Sequence, residues 1–183
     1  MTLALILCLT ATVIPVFFSR ISAAPTWLSL QALSLLWITL FDDDGFSLHV
    51  ILAGLEVLLV RALLVPYLLH RALHKNRQAR ISLMPSNLFA WGVAITLIIL
   101  AFKFGDGARG DIRALTLGVA AATAMIAFLI LATNHEPSAQ LVAVLFMENA
   151  LALFESLLPE PWPLPVHLAV SGVYGAIWGL LWR

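Results

Sequence analysis

Long apolar stretches separated by short polar segments make up this chain of 183 residues. A helix needs about 20 apolar residues to cross the ~30 Å hydrocarbon layer of a membrane. The polar segments contain prolines, glycines or clustered charges, which interrupt helices. The pattern predicts an all-α polytopic membrane protein that forms one transmembrane domain over residues 1–183. The predicted helices, about seven in number, lie near residues 2–18, 27–41, 47–70, 87–104, 114–132, 140–158 and 166–182.

Composition narrows the class of protein. Hydrophobic residues make up 62% of the chain and charged residues 11%, whereas soluble domains are about half apolar and about a quarter charged. A net charge of zero gives no support to a nucleic-acid partner. The single cysteine, Cys8, excludes an internal disulfide and a cysteine-based metal or iron–sulfur site. Since no nucleophile–base set or heme ligand pair stands out either, we expect no cofactor and no enzyme activity.

Basic residues set the expected orientation. No Lys or Arg precedes the first apolar run, so we interpret it as a retained helix and not as a signal peptide. The segment after the third predicted helix is the most basic one and should be cytoplasmic, since Lys and Arg concentrate on that side. Seven helices then place the N-terminus outside and the C-terminal Arg183 in the cytoplasm. The basic residues that decide this are Arg71, Lys75, Arg77 and Arg80.

Four ionisable residues lie inside predicted helices and are candidates for function, because a charge at membrane depth is costly. They are Glu56, Arg61, Glu148 and Glu155. Counting along the helices places Arg61 roughly 21 Å and Glu148 roughly 18 Å below the same membrane boundary, with Glu56 roughly 13 Å down. Arg61 and Glu148 are therefore expected to be level, either as a functional pair or as an inert pair that locks two helices. Glu155 either shares a face with Glu148 or simply reaches the membrane interface.

Two residues close to these candidates in the sequence, Asn149 and Pro66, are also relevant to the site. Asn149 follows Glu148 directly in the otherwise apolar stretch LFMENALALF, at 145–154. Pro66 lies five residues after Arg61 and has no backbone N–H, so it should free a carbonyl one turn earlier. Near a buried arginine, such a free carbonyl can let water or a side chain into the helix.

Two motifs resemble a known family. The stretch MENALALF (147–154), after the short NHEPSAQ segment, and VLLVRALLVPYLLHRAL (57–73) are similar to the E component of hydrogenase-4-type membrane complexes. That family is related to the K subunit of respiratory complex I, and the resemblance extends over residues 50–183. The chain departs from the family pattern at Arg61, where lysine is more frequent, and in the last predicted helix, which has no acidic residue.

The resemblance implies a non-catalytic subunit of a proton-translocating assembly in a prokaryotic inner membrane, next to an antiporter-like subunit. It assigns Glu148 and Arg61 to a chain of buried charges, to which we add Glu56, Asn149 and Glu155 as candidates. Burial favours the neutral form of a carboxyl and a nearby arginine favours the charged form, so Glu148 could change its charge state. Two alternatives remain: a subunit of a non-redox cation/proton antiporter or ion-coupled uptake complex, and a structural membrane adaptor.

Overall fold

The structure, a computed structural model, describes residues 1–18, 21–40, 48–75, 88–104 and 111–158. Every regular element within these ranges is helical. Leu48–Lys75 is one continuous helical stretch, because α3, a π-helical segment and α4 follow each other without a break. The elements are α1 (Thr2–Phe18), a 3₁₀ turn (Ile21–Ala23), α2 (Ala24–Leu40), α3 (Leu48–Glu56), the π-helical segment (Val57–Leu64), α4 (Val65–Lys75), α5 (Leu88–Phe104), α6 (Ile112–Thr133) and α7 (Pro137–Glu155).

The all-α prediction is confirmed, and four of the helical segments are long and apolar enough to cross a membrane. Helices 2–17 and 91–104 are apolar but shorter. The predicted helix at 166–182 lies outside the described residues. The four segments of spanning length cover residues 21–40, 54–74, 112–133 and 137–155.

Helix boundaries differ from the prediction by a few residues where proline was given too much weight. The predicted sixth helix was expected to begin near residue 140, after the proline of NHEPS. It begins instead at Pro137 itself, since the first turn of a helix has no use for the N–H that proline lacks. It also ends earlier, at Glu155.

The helix α2 lies at the centre of the described part of the fold. It packs against α1, the π-helical segment, α4 and α7, while α6 packs against α5 and α7. The larger of two buried apolar clusters includes Leu28 of α2, Leu69 of α4, Ile126 of α6 and Phe146 of α7. Because α2 touches both the π-helical segment and α7, the polar side chains of these three elements meet in the interior.

Close packing of α5 on α6 depends on a glycine. A Cβ atom added to Gly118 of α6 would lie 2.9 Å from Cδ1 of Phe102 on α5. That is shorter than a carbon–carbon contact, so a side chain at this position would push the two helices apart.

Candidate functional site

The π-helical segment brings Glu56 and Arg61 together. In an α-helix, residues five apart point about 140° away from each other around the axis. In a π-helix the backbone bonds join residues five apart, as they do here between Val65 N–H and the Val60 carbonyl. The Arg61 Nε consequently donates to Glu56 Oε1 at 3.3 Å. This pair depends directly on the local winding of the helix.

A side chain of another helix donates a hydrogen bond to a backbone carbonyl four residues before Pro66. In an α-helix, the N–H of residue 66 would bond to the carbonyl of Ala62, but proline has no N–H to donate. The Ser29 hydroxyl of α2 donates to that carbonyl at 2.9 Å. The bond fastens α2 to the π-helical segment at the residue next to Arg61.

Arg61 also reaches Glu148 on α7, as the depth count predicts. Its Nη2 lies 3.9 Å from Glu148 Oε1, and its Nη1 donates to the Glu148 backbone carbonyl at 3.4 Å. Glu148 is 5% exposed, and the Arg61 side chain is 11% exposed. The guanidinium group therefore lies between two carboxylates, with Glu56 the nearer and Glu148 the more deeply buried.

Asn149 begins a buried chain of hydrogen bonds through three helices. Its Nδ2 donates to Gln31 Oε1 at 2.8 Å, and the Gln31 Nε2 donates to the Thr12 hydroxyl at 2.7 Å. The Thr12 hydroxyl donates in turn to the Cys8 carbonyl at 3.1 Å. Gln31 and Thr12 are fully buried. This chain links α7, α2 and α1 directly beside the ionisable cluster.

Sequence reasoning did not single out Gln31, Thr12 or Ser29. The signal for Gln31 was available, because an amide inside an apolar helix must find a hydrogen-bond partner. Thr12 and Ser29 carried a weaker signal, since a hydroxyl in a helix can bond to a carbonyl of its own preceding turn.

A small cavity of about 10 Å³ opens beside the cluster, which is about the room one water molecule needs. Three polar side chains and three apolar ones form its walls. The lining residues are Leu28, Arg61, Val65, Leu145, Glu148 and Asn149. The polar residues Arg61, Glu148 and Asn149 make this wall of the cavity suited to a water molecule, since buried waters usually have about three polar partners.

The structure thus brings four of the five predicted site residues into one cluster: Glu56, Arg61, Glu148 and Asn149. Glu155 is the last residue of α7 and is partly exposed. Seven residues separate it from Glu148, or about 10 Å along the helix axis. Its position at the membrane interface stays a prediction.

Within the described ranges, no group of three or more His, Cys, Asp or Glu side chains is arranged to hold a metal ion. No family model, curated protein or solved structure matches the chain. What the site can do chemically is therefore inferred from the geometry of its own side chains. Arginine keeps its positive charge at any physiological pH, so the cluster has a formal charge of −1 with both carboxyls ionised, and a single proton neutralises it.

Proposed function

We propose that the chain is a non-catalytic membrane subunit of a proton-translocating assembly, in which Glu148 takes up and releases a proton. The observation that carries this proposal is that Arg61 lies between Glu56 and the buried Glu148, all three within helical segments long enough to span a membrane. One positive charge cannot neutralise two carboxylates. A low-dielectric interior favours the state with a proton bound, whereas Arg61 keeps the ionised state accessible.

The resemblance to hydrogenase-4 component E supports the further details of the proposal. They are an antiporter-like neighbour and a prokaryotic inner membrane, whereas the seven membrane spans and the cytoplasmic side of the basic segment at 71–80 are expected from the apolar pattern and the positive charges. The electron-transfer centres would belong to other subunits. Hydrogenase or iron–sulfur protein genes next to this one would favour redox drive, whereas antiporter genes alone would favour a cation/proton antiporter.

Replacement of Glu148 in the assembled complex tests the proposal. Glu148→Gln keeps the size of the side chain but removes the exchangeable charge, so assembly should be normal and most proton transport should be lost. Glu148→Asp keeps the carboxyl with a shorter reach and should retain part of the activity. Proton movement into membrane vesicles measures transport, and native gel electrophoresis measures assembly.

Glu136→Gln is the matched control, because Glu136 lies exposed just before the same helix. That variant should transport protons at the unaltered rate. Full proton transport by the Glu148→Gln complex would contradict the proposal.

A structural adaptor is the second candidate, and the hydrogen-bond chain from Asn149 to Thr12 favours it. Buried polar side chains that join three helices stabilise their arrangement. An adaptor should lose assembly when Gln31 is replaced but tolerate Glu148→Gln in every assay. The two candidates therefore differ in the outcome for Glu148→Gln, which abolishes most proton transport under the first and leaves every assay unaltered under the second.

A further inference from the structure

The helical stretch Leu48–Lys75 exposes a row of apolar side chains and one carboxylate, that of Glu56. Ile51, Leu55, Leu59, Leu63 and Tyr67 follow each other at intervals of four and are between 45% and 61% exposed. These five residues form what we call the outer stripe. Glu56 directly follows Leu55 of the stripe in the chain, and its side chain is 44% exposed. A carboxylate therefore stands on a surface that is otherwise suited to lipid.

Lipid is a poor neighbour for this carboxylate, because a charge in the hydrocarbon region is strongly unfavourable unless it is paired. Arg61 provides only part of the pairing, since it also contacts Glu148 through two of its nitrogens. The three side chains together have a formal charge of −1. A second cation on the outer side of Glu56 would complete the charge balance.

We propose that the outer stripe is the docking surface for a transmembrane helix of a partner subunit, and that a Lys or Arg of that helix pairs with Glu56. The apolar residues of the stripe would pack against the partner helix, and the ion pair would fix its depth. This inference rests on the membrane location proposed above, but it does not depend on proton transport.

Two other polypeptide occupants fit the charge less well. A second copy docked in parallel on the same face would place Glu56 at the depth of another Glu56, which adds repulsion. The segment 166–182 of the chain itself contains neither Lys nor Arg. A cation near Glu56 is therefore best provided by a different subunit.

Photo-crosslinking in the native membrane tests the inference. The photoreactive residue p-benzoylphenylalanine replaces Leu59 on the outer stripe, and in a control chain it replaces Ile99 of α5, which is 54% exposed. Mass spectrometry then identifies the peptide attached to each probe. The Leu59 probe should attach to a transmembrane segment of another subunit that has a Lys or Arg within about one helical turn of the adduct, and the Ile99 probe should give no such adduct.

Glu56→Gln, combined with the Leu59 probe, should lower the yield of this adduct about tenfold, as expected for the loss of one charge-assisted hydrogen bond. Reversing both charges, with Glu56→Lys here and an acidic residue in the partner, should restore it. An adduct with lipid, with a second copy, with residues 159–183, or with a segment lacking a cation would overturn the inference. Extraction of the membranes at alkaline pH distinguishes failure of this inference from failure of the proposed function. Release of the chain from the membrane would contradict the proposed function. Retention in the membrane together with a lipid adduct would contradict only the docking of a partner helix.

Discussion

The three guanidinium nitrogens of Arg61 contact three different oxygen atoms, two through hydrogen bonds and one through an ion pair. Nε contacts the Glu56 carboxylate, Nη1 the Glu148 backbone carbonyl and Nη2 the Glu148 carboxylate. This is the use to which a planar guanidinium is suited, because its donors point in fixed and different directions. A lysine ammonium is a single charged centre without this fixed fork of donors, so it is less suited to contact all three oxygens at once.

Arg61→Lys should therefore keep the charge but lose part of the geometry. We expect the assembled complex to retain part of its proton transport, whereas Arg61→Ala should lose nearly all of it, because a buried carboxyl without its cation binds a proton and holds it. Proton movement in vesicles, normalised to assembled complex, measures both. Arg113→Lys, at an exposed position, is the control and should be unaltered. Equal activity of the Arg61→Lys and Arg61→Ala complexes would contradict this explanation.

Gln31 is the second residue whose role follows from its contacts. Gln31→Leu removes the partner of both Asn149 and Thr12, and an unsatisfied buried polar group costs about 1–3 kcal/mol. The variant should unfold in detergent at a clearly lower temperature than the unaltered protein. Gln140→Leu is a matched control, because Gln140 is partly exposed and donates one bond to the Asn134 carbonyl at 3.2 Å. Equal shifts of the two midpoints would show that the chain of bonds contributes little.

At the same scale, the sequence identified the ionisable residues of the site but not the neutral polar ones. Glu148 and Arg61 stood out because an ionisable side chain is rare in an apolar helix. Gln31, Thr12 and Ser29 did not stand out, because their partners depend on how each helix is rotated about its axis. Rotation is decided by packing between helices and not by the local sequence.

At the scale of the helical element, the π-helical segment decides which residues form the site. The sequence predicted a helix across this region and the depth of each charged residue along it. These two predictions were sufficient to expect the pairing of Arg61 with Glu148. The pairing of Arg61 with Glu56 could not be predicted by α-helical geometry, which places residues five apart on different sides. Pro66 was a sequence signal for irregular winding, and it lies two residues after the end of the segment, in the first turn of α4.

The Ser29 hydroxyl and Pro66 should be energetically coupled through the Ala62 carbonyl. Ser29→Ala leaves that carbonyl without the Ser29 donor and should destabilise the protein by about 1–3 kcal/mol. In a Pro66→Ala background the same change should cost less, because the introduced alanine has an N–H that can bond to the Ala62 carbonyl in an α-helical turn. Thermal unfolding of the two single variants and the double variant measures the coupling.

Ser34→Ala is the control for this cycle, since the Ser34 hydroxyl bonds to the Leu30 carbonyl within its own helix at 2.9 Å. Its effect on the unfolding midpoint should be small and independent of residue 66. Strict additivity of Ser29→Ala and Pro66→Ala would contradict the coupling.

At the scale of the whole molecule, the apolar segments of the sequence decide where the helices lie along the chain. The apolar pattern predicted six of the helices to within a few residues, because their length and composition leave few other solutions. The orientation in the membrane depends instead on the basic segment at 71–80, and it remains a prediction.

Single cysteines should verify that orientation. In a Cys8→Ser background, Arg71→Cys and Arg113→Cys place thiols at exposed positions at the far end of α4 and the start of α6. A membrane-impermeant thiol reagent should label Arg113→Cys in intact cells and label Arg71→Cys only after the membrane is opened. The reverse pattern would show that the chain is inserted the other way round.

The charge state of Glu148 during turnover is the central claim, and infrared difference spectroscopy of the assembled complex measures it directly. A protonated carboxyl has a C=O stretch that an ionised carboxylate does not have. The spectrum of the working complex minus that of the resting complex should contain such a band, and Glu148→Gln should abolish it while Glu136→Gln leaves it in place. A difference spectrum without a carboxylic-acid band, or with the same band in Glu148→Gln, would contradict the account.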